Sequence, residues 1–247
     1  MSTISLEVCV DNLESLRTAA DAGADRIELC SALELGGLTP CAGFMMAAAD
    51  VSVPVHALIR PRAGDFDYSR GEVDQMIDDV QACREVGLAG IVIGAGAGGR
   101  LDETSVEALV DAADGLFVTL HRVFDLVDDR VLAIDIAADL GIERILTSGG
   151  AHSAPAGIEE IRRCVEYADS RLSIMAGGGI NAGNVAKIVE QTGVRDIHGS
   201  FSRATRQFDP AIPALGFSAS ESLIAADGNA VRAAKQALSC FSEAESR

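Results

Sequence analysis

The chain has 247 residues, 48% of them apolar, with 37 acidic side chains against 20 lysines and arginines and a formal charge of −17. That length suits a single α/β barrel with a sizeable core, and the acidic balance argues against a nucleic-acid partner, whose phosphates need Lys and Arg. No apolar run reaches the roughly 18 residues of a membrane helix and the N-terminus lacks a basic-then-apolar signal, so a soluble intracellular protein with no membrane association is expected.

Strand and helix signals alternate along the chain. The first strand spans about 3–9, and Asp11 with Glu14 makes a capping-box pattern before a helix closed by Gly23. The second strand is 25–30, and Thr39 reads as an N-cap with Pro40 at the first helical position. The third is 54–60, followed by a polar loop over 61–69 and a helix over 71–86 with apolar residues at Val73, Ile77 and Val80. The fourth strand is 89–94, with a capping box at Thr104 and Glu107, and the fifth is 116–121 with a helix over 128–140. The sixth is 143–148 with a helix over 155–168, and the seventh is 172–177, after which Asn181 reads as a helix cap. The eighth is 195–199, then an irregular stretch over 202–219 and a last helix over 229–243. Eight βα units without a composition break predict one (β/α)8 TIM barrel over 1–247, its core at 3–201 and a variable C-terminal segment with the last helix at 202–247. An open doubly wound sheet, built from the same units, is the competing architecture.

In a barrel the functional groups sit at the C-terminal strand ends. Glu7 and Cys9 share one face of the first strand, and Glu28 and Cys30 one face of the second. The third strand supplies Arg60, with Arg62 beyond it; the fifth gives His121, then Arg122 and Asp125. The sixth gives Thr147 and Ser148, the seventh Gly177, Gly178 and Gly179, and the eighth His198 and Ser200. His56, at the start of its strand, reads as structural. So do Cys83 and Cys164, which fall in helical stretches. The run Gly94-Ala-Gly96-Ala-Gly98-Gly99 matches a dinucleotide pattern literally, but the helix begins only near Thr104, so no nucleotide cofactor is expected.

With these residues in place the sequence resembles the CutC family of copper homeostasis proteins. The runs that carry the resemblance are Leu-Glu-Val-Cys at 6–9, Ala-Asp-Arg-Ile-Glu-Leu-Cys at 24–30 and Gly-Gly-Leu-Thr-Pro at 36–40. Ile-Arg-Pro-Arg-Ala-Gly-Asp-Phe at 59–66, His-Arg-Val-Phe-Asp at 121–125, Leu-Thr-Ser-Gly at 146–149 and Met-Ala-Gly-Gly-Gly at 175–179 complete them. The resemblance implies a TIM barrel, a cytoplasmic location, a homo-oligomer, and Cu(I) bound through Cys9 and Cys30. It attaches no firm catalytic reaction. In the fourth loop, Ala95 to Gly99 departs from the family's usual Asp-Gly pair.

Two functions are therefore carried forward. One is Cu(I) binding by the strand-end cysteines. The other is an enzyme acting on a small anionic or phosphorylated metabolite. It would hold the anion with Arg60, Arg62 and the Gly177–Gly179 turn. His121 or His198 would be acid or base, with Glu7 or Glu28 as counterpart.

Overall fold

A computed structural model describes residues 4–243. Thr3, expected to open the first strand, lies outside the described residues, as do 1–2 and 244–247. Eight parallel strands close into a barrel: β1 (Ser5–Val10), β2 (Arg26–Leu29), β3 (Val55–Leu58), β4 (Gly90–Ile93), β5 (Phe117–Leu120), β6 (Arg144–Thr147), β7 (Ser173–Ala176) and β8 (Asp196–Gly199). Each strand pairs with its sequence neighbours, and β1 meets β8 through Glu7 opposite His198. Closure excludes the open sheet. The eight helices of the repeat are α1 (Leu13–Asp21), α2 (Ala42–Ala48), α3 (Arg70–Glu85), α4 (Glu103–Ala113), α5 (Arg130–Asp139), α6 (Ile158–Ala168), α7 (Val185–Thr192) and α8 (Gly228–Glu243). Among the described residues no helix is long and apolar enough to cross a membrane.

The strands' alternation sorts their side chains. Leu6, Val8, Ile27, Leu29, Ile91, Ile93 and Leu120 join the large core between strands and helices. Each such fully buried aliphatic chain contributes about 1.5–3 kcal/mol. The opposite faces point into the barrel, where Cys9, Cys30, Leu58 and Val92 form a small separate cluster and charged and polar groups, with Met175 against Arg26, lie below it.

Several caps differ from expectation. Asn12, not Asp11, caps α1 by accepting from Ser15 N at 2.9 Å, and Asp11 instead accepts from Leu33 N at 3.2 Å. Asp102, not Thr104, caps α4. Thr39 does not cap α2, which starts after Cys41; its hydroxyl accepts from Arg60 N at 2.9 Å. The strongest cap is the reciprocal pair Ser69 and Glu72 opening α3. The stretch expected to be irregular holds a strand, β9 (Ser202–Gln207), paired antiparallel with β10 (Ser222–Ala226). This hairpin docks on α1, where Ala226 N donates to Ser15 Oγ at 3.0 Å. The glycine-rich run after β4 makes a two-residue hairpin, Gly96–Ala97 against Arg100–Leu101, turned by Gly98 and Gly99 at positive φ. That is a strand-to-strand turn rather than the opening of a helix.

Candidate functional site

Register decides which polar groups meet. Barrel shear staggers neighbouring strands, so Glu7 lies opposite Arg26, while Cys9 lies opposite Glu28. Glu7 therefore sits one layer below the strand end where it was expected, fully buried. Cys30 lies a step above the level of Cys9, its backbone N–H donating to Val10 O at 2.8 Å.

The floor of the interior is a charge lattice. Arg26 Nε pairs with Glu7 Oε2, and its Nη2 donates to Asp196 Oδ1 at 2.9 Å. Arg144 Nε approaches the same Asp196 oxygen at 3.3 Å, and its guanidinium lies 4.3 Å from the Phe117 ring centre. His56 packs on Phe117 at 5.2 Å between ring centres. Burial, with Arg26 and Arg144 adding to it, pulls His56 down to about 4, so the ring is neutral near pH 7. Sequence reasoning missed Arg26, Arg144 and Asp196. A usable signal existed: Arg26 is two residues before Glu28 and Asp196 two before His198, so each shares its partner's face.

Above the floor, His198 links three acidic groups. Its Nδ1 lies 2.8 Å from Glu7 Oε1 and its Nε2 lies 3.7 Å from Glu28 Oε2. Cys9 Sγ, a Glu28 oxygen and a His198 nitrogen all lie within 4.8 Å of one another. Cys30 Sγ donates to Glu28 Oε2 at 3.6 Å. Burial opposes a charged His198, yet Cys9, Glu28 and Glu7 outweigh it and hold the ring well above its usual value. Burial pushes the Glu28 carboxyl up, with Glu7 adding and His198 opposing. Burial likewise raises the Cys30 thiol, with Glu28 and Cys9 adding. The sequence placed these residues at the same end of the barrel; only the fold shows that Cys9, Glu28 and His198 converge.

The expected anion-binding arginines have partners of their own. Arg62 Nε donates to Glu72 at 2.5 Å, Nη1 to Asp65 at 2.9 Å and Nη2 to Asp67 O at 2.7 Å. Arg60 Nη1 donates to Leu35 O at 3.0 Å and Gly37 O at 2.8 Å, and Nη2 to Gly64 O at 2.8 Å. Both arginines thus brace loops. Gly177 packs beside Leu146 and His198, while Gly178, at φ +94°, faces Ser148 and Arg122. The Asp125 carboxylate gathers Thr147 Oγ1 at 2.5 Å, Gly150 N at 3.0 Å and Arg122 Nε at 2.7 Å, fixing the loop after β6.

The CutC family profile matches residues 4–203. The chain belongs to the CutC family. It is 50% identical over 222 residues to the CutC family protein of Rhizobium meliloti (strain 1021), covering 90% of this chain and 91% of that one. A CutC family protein of Caulobacter vibrioides (strain NA1000 / CB15N) is 49% identical over 217 residues, covering 87% and 89%. Among solved structures, the candidate copper homeostasis protein CutC of Streptococcus agalactiae superposes with a TM-score of 0.77 at 34% identity, covering 80% of this chain and 98% of that one. A thiamine phosphate pyrophosphorylase from Pyrococcus furiosus, at 16% identity and TM-score 0.59, shares the fold alone. The CutC match ends at the start of β9, so the docked hairpin and α8 lie beyond it.

Proposed function

We propose that this protein binds Cu(I) inside the barrel mouth, with Cys9 and His198 as ligands and Cys30 as the neighbouring thiol that completes the set. The observation that carries the reading is the convergence of Cys9, Glu28 and His198 donor atoms within 4.8 Å. Two donors on one ion, at bonds of roughly 2.0–2.3 Å, stand about 3.5–3.8 Å apart, so small side-chain rotations suffice to close on a metal. Cu(I) is soft and selects thiolate and imidazole over carboxylate. Glu28 accepts a hydrogen bond from the Cys30 thiol before metal binds and neighbours His198, and is not the principal ligand. Binding must displace protons from the thiol and ring donors. The Streptococcus agalactiae relative, named as a copper homeostasis protein, points the same way.

The test is anaerobic competition for Cu(I) against a chelator, using wild type, Cys9→Ser, Cys30→Ser, His198→Ala and Cys83→Ser. Cys83 is buried beside Met45 in the outer core, so its replacement should leave binding intact. The first three variants should weaken it. Equal affinity in all five proteins refutes the site, and tighter binding of Zn(II) than of Cu(I) would reassign the metal. We further infer that the protein works in a reducing cytoplasm, as a homo-oligomer. All six cysteines are free. Leu215 and Phe217, 71% and 76% exposed between β9 and β10, offer apolar contact surface. Light scattering coupled to gel filtration checks the oligomer.

A further inference from the structure

His121 offers a buried hydrogen-bond donor that no described residue accepts. The side chain is 5% exposed and its Nε2 has no partner. The ring is fixed from several sides. Val123 N donates to Nδ1 at 3.1 Å, and Phe66 packs on the ring with centres 4.7 Å apart. Gly94 leaves the room it needs, since a Cβ there would stand 2.6 Å from His121 Cε1. A ring nitrogen that accepts carries no hydrogen, and a neutral imidazole must then carry it on the other nitrogen. Burial, with the Arg60 charge adding to it, pulls His121 down to about 3, so the ring is neutral near pH 7. His121 is thus placed, in its neutral form, to donate from Nε2.

Arg60 packs on the same aromatic ring, its guanidinium 5.1 Å from the Phe66 centre, and its charge is felt at His121. It is 6% exposed and held by three backbone carbonyls, and its Nε lacks an acceptor. Native proteins seldom leave buried polar atoms unpaired without a use for them. We propose that this part of the barrel mouth holds a small oxyanion, a carboxylate or a phosphate group, with His121 Nε2–H as a fixed neutral donor and the Arg60 charge beside it. A neutral imidazole in this setting stabilises charge on a ligand oxygen without surrendering its proton. The site shares no residue with the proposed copper donors, so it stands or falls independently of them.

The experiment is nitrogen NMR on protein labelled with 15N-histidine, which holds four histidines. His121 should show the Nε2–H form and keep it unchanged across the neutral pH range. Titration with inorganic phosphate and, separately, with acetate should move the Nε2 resonance saturably with one of them, which also tells phosphate from carboxylate. By calorimetry, His121→Gln, which keeps an N–H near the same point, should retain binding of that anion. His121→Phe should weaken it about tenfold or more, the loss of one hydrogen bond to a charged group. An Nδ1–H ring, titration near the ordinary histidine value, silence toward both anions, or undiminished binding by His121→Phe would each overturn the proposal.

Discussion

Glu7 is the deepest charge in the barrel, and Glu7→Gln tests whether the floor lattice holds the fold together. The carboxylate is fully buried, paired with Arg26 Nε through one oxygen and 2.8 Å from His198 Nδ1 through the other. Removing one member of a buried pair costs roughly 3–5 kcal/mol, because the remaining charge is stranded away from water. Arg26 keeps Asp196 at 2.9 Å, which places the expected loss at the low end, about 3 kcal/mol. At ~2–4 °C per kcal/mol for a chain of this size, the melting temperature should fall by roughly 6–12 °C. Burial removes the screening that weakens surface pairs, so the loss should be similar at about 0.1 M and about 1 M salt. The pH dependence has a definite sign. Burial opposes the ionised form, but Arg26 and His198 outweigh it, so Glu7 titrates below its ordinary 4.5. Its contribution is complete above that value and is lost as the pH falls below it. The gap between wild type and variant should therefore shrink only under acid conditions. Urea and thermal unfolding by circular dichroism supply the numbers. A loss under about 1 kcal/mol, or one that salt abolishes, would mean the pair behaves as a surface contact and would refute the reasoning.

Three further outcomes are expected. His121, whose folded value is about 3 against an ordinary 6.5, should destabilise the protein as the pH falls from about 6.5 toward 3, because the unfolded chain takes up the proton first. The effect is about 1.4 kcal/mol per pH unit, and His121→Gln should flatten the slope measured by urea unfolding; an unchanged slope places the proton uptake elsewhere. Gly37 sits at φ +84°, and a Cβ there would lie 2.7 Å from Leu58 Cδ2 and 3.5 Å from Cys30 Sγ. Gly37→Ala should cost about 1–3 kcal/mol in backbone strain alone and should also weaken Cu(I) retention by pushing Leu58, which packs in one cluster with Cys30, both readable from melting and chelator competition. Ser69→Ala removes the acceptor for Glu72 N at the start of α3, and should cost about 1 kcal/mol in a denaturant midpoint shift without altering metal binding.

The periodic features were legible from the chain alone. Eight strand patterns, each followed by an amphipathic stretch, give eight βα units, and the count of eight favours a barrel over an open sheet built from the same units. The parity of Glu7 with Cys9 and of Glu28 with Cys30 was equally local, since a strand sends alternate side chains to opposite faces. Caps were less legible: Asp11 and Asn12, or Asp102 and Thr104, are adjacent or nearly adjacent candidates with similar chemistry. Backbone geometry chose Asn12 and Asp102.

What the sequence by itself determined was therefore the eight βα units, the strand ends that carry polar groups, and the identity of most of those groups; ring closure was seen only in the fold. Tertiary structure decided their depth and their partners. The stagger between β1 and β2 sets Cys9 against Glu28 rather than against Cys30. Closure of β8 on β1 carries His198 across nearly the whole chain length to Glu7. The same closure turns Arg26, Asp196 and Arg144 into one lattice and leaves Arg60 and Arg62 tied to loop carbonyls and carboxylates. The reason is physical: alternation along a strand is set by its own backbone, whereas register between strands is set by shear and ring closure, which no single segment contains.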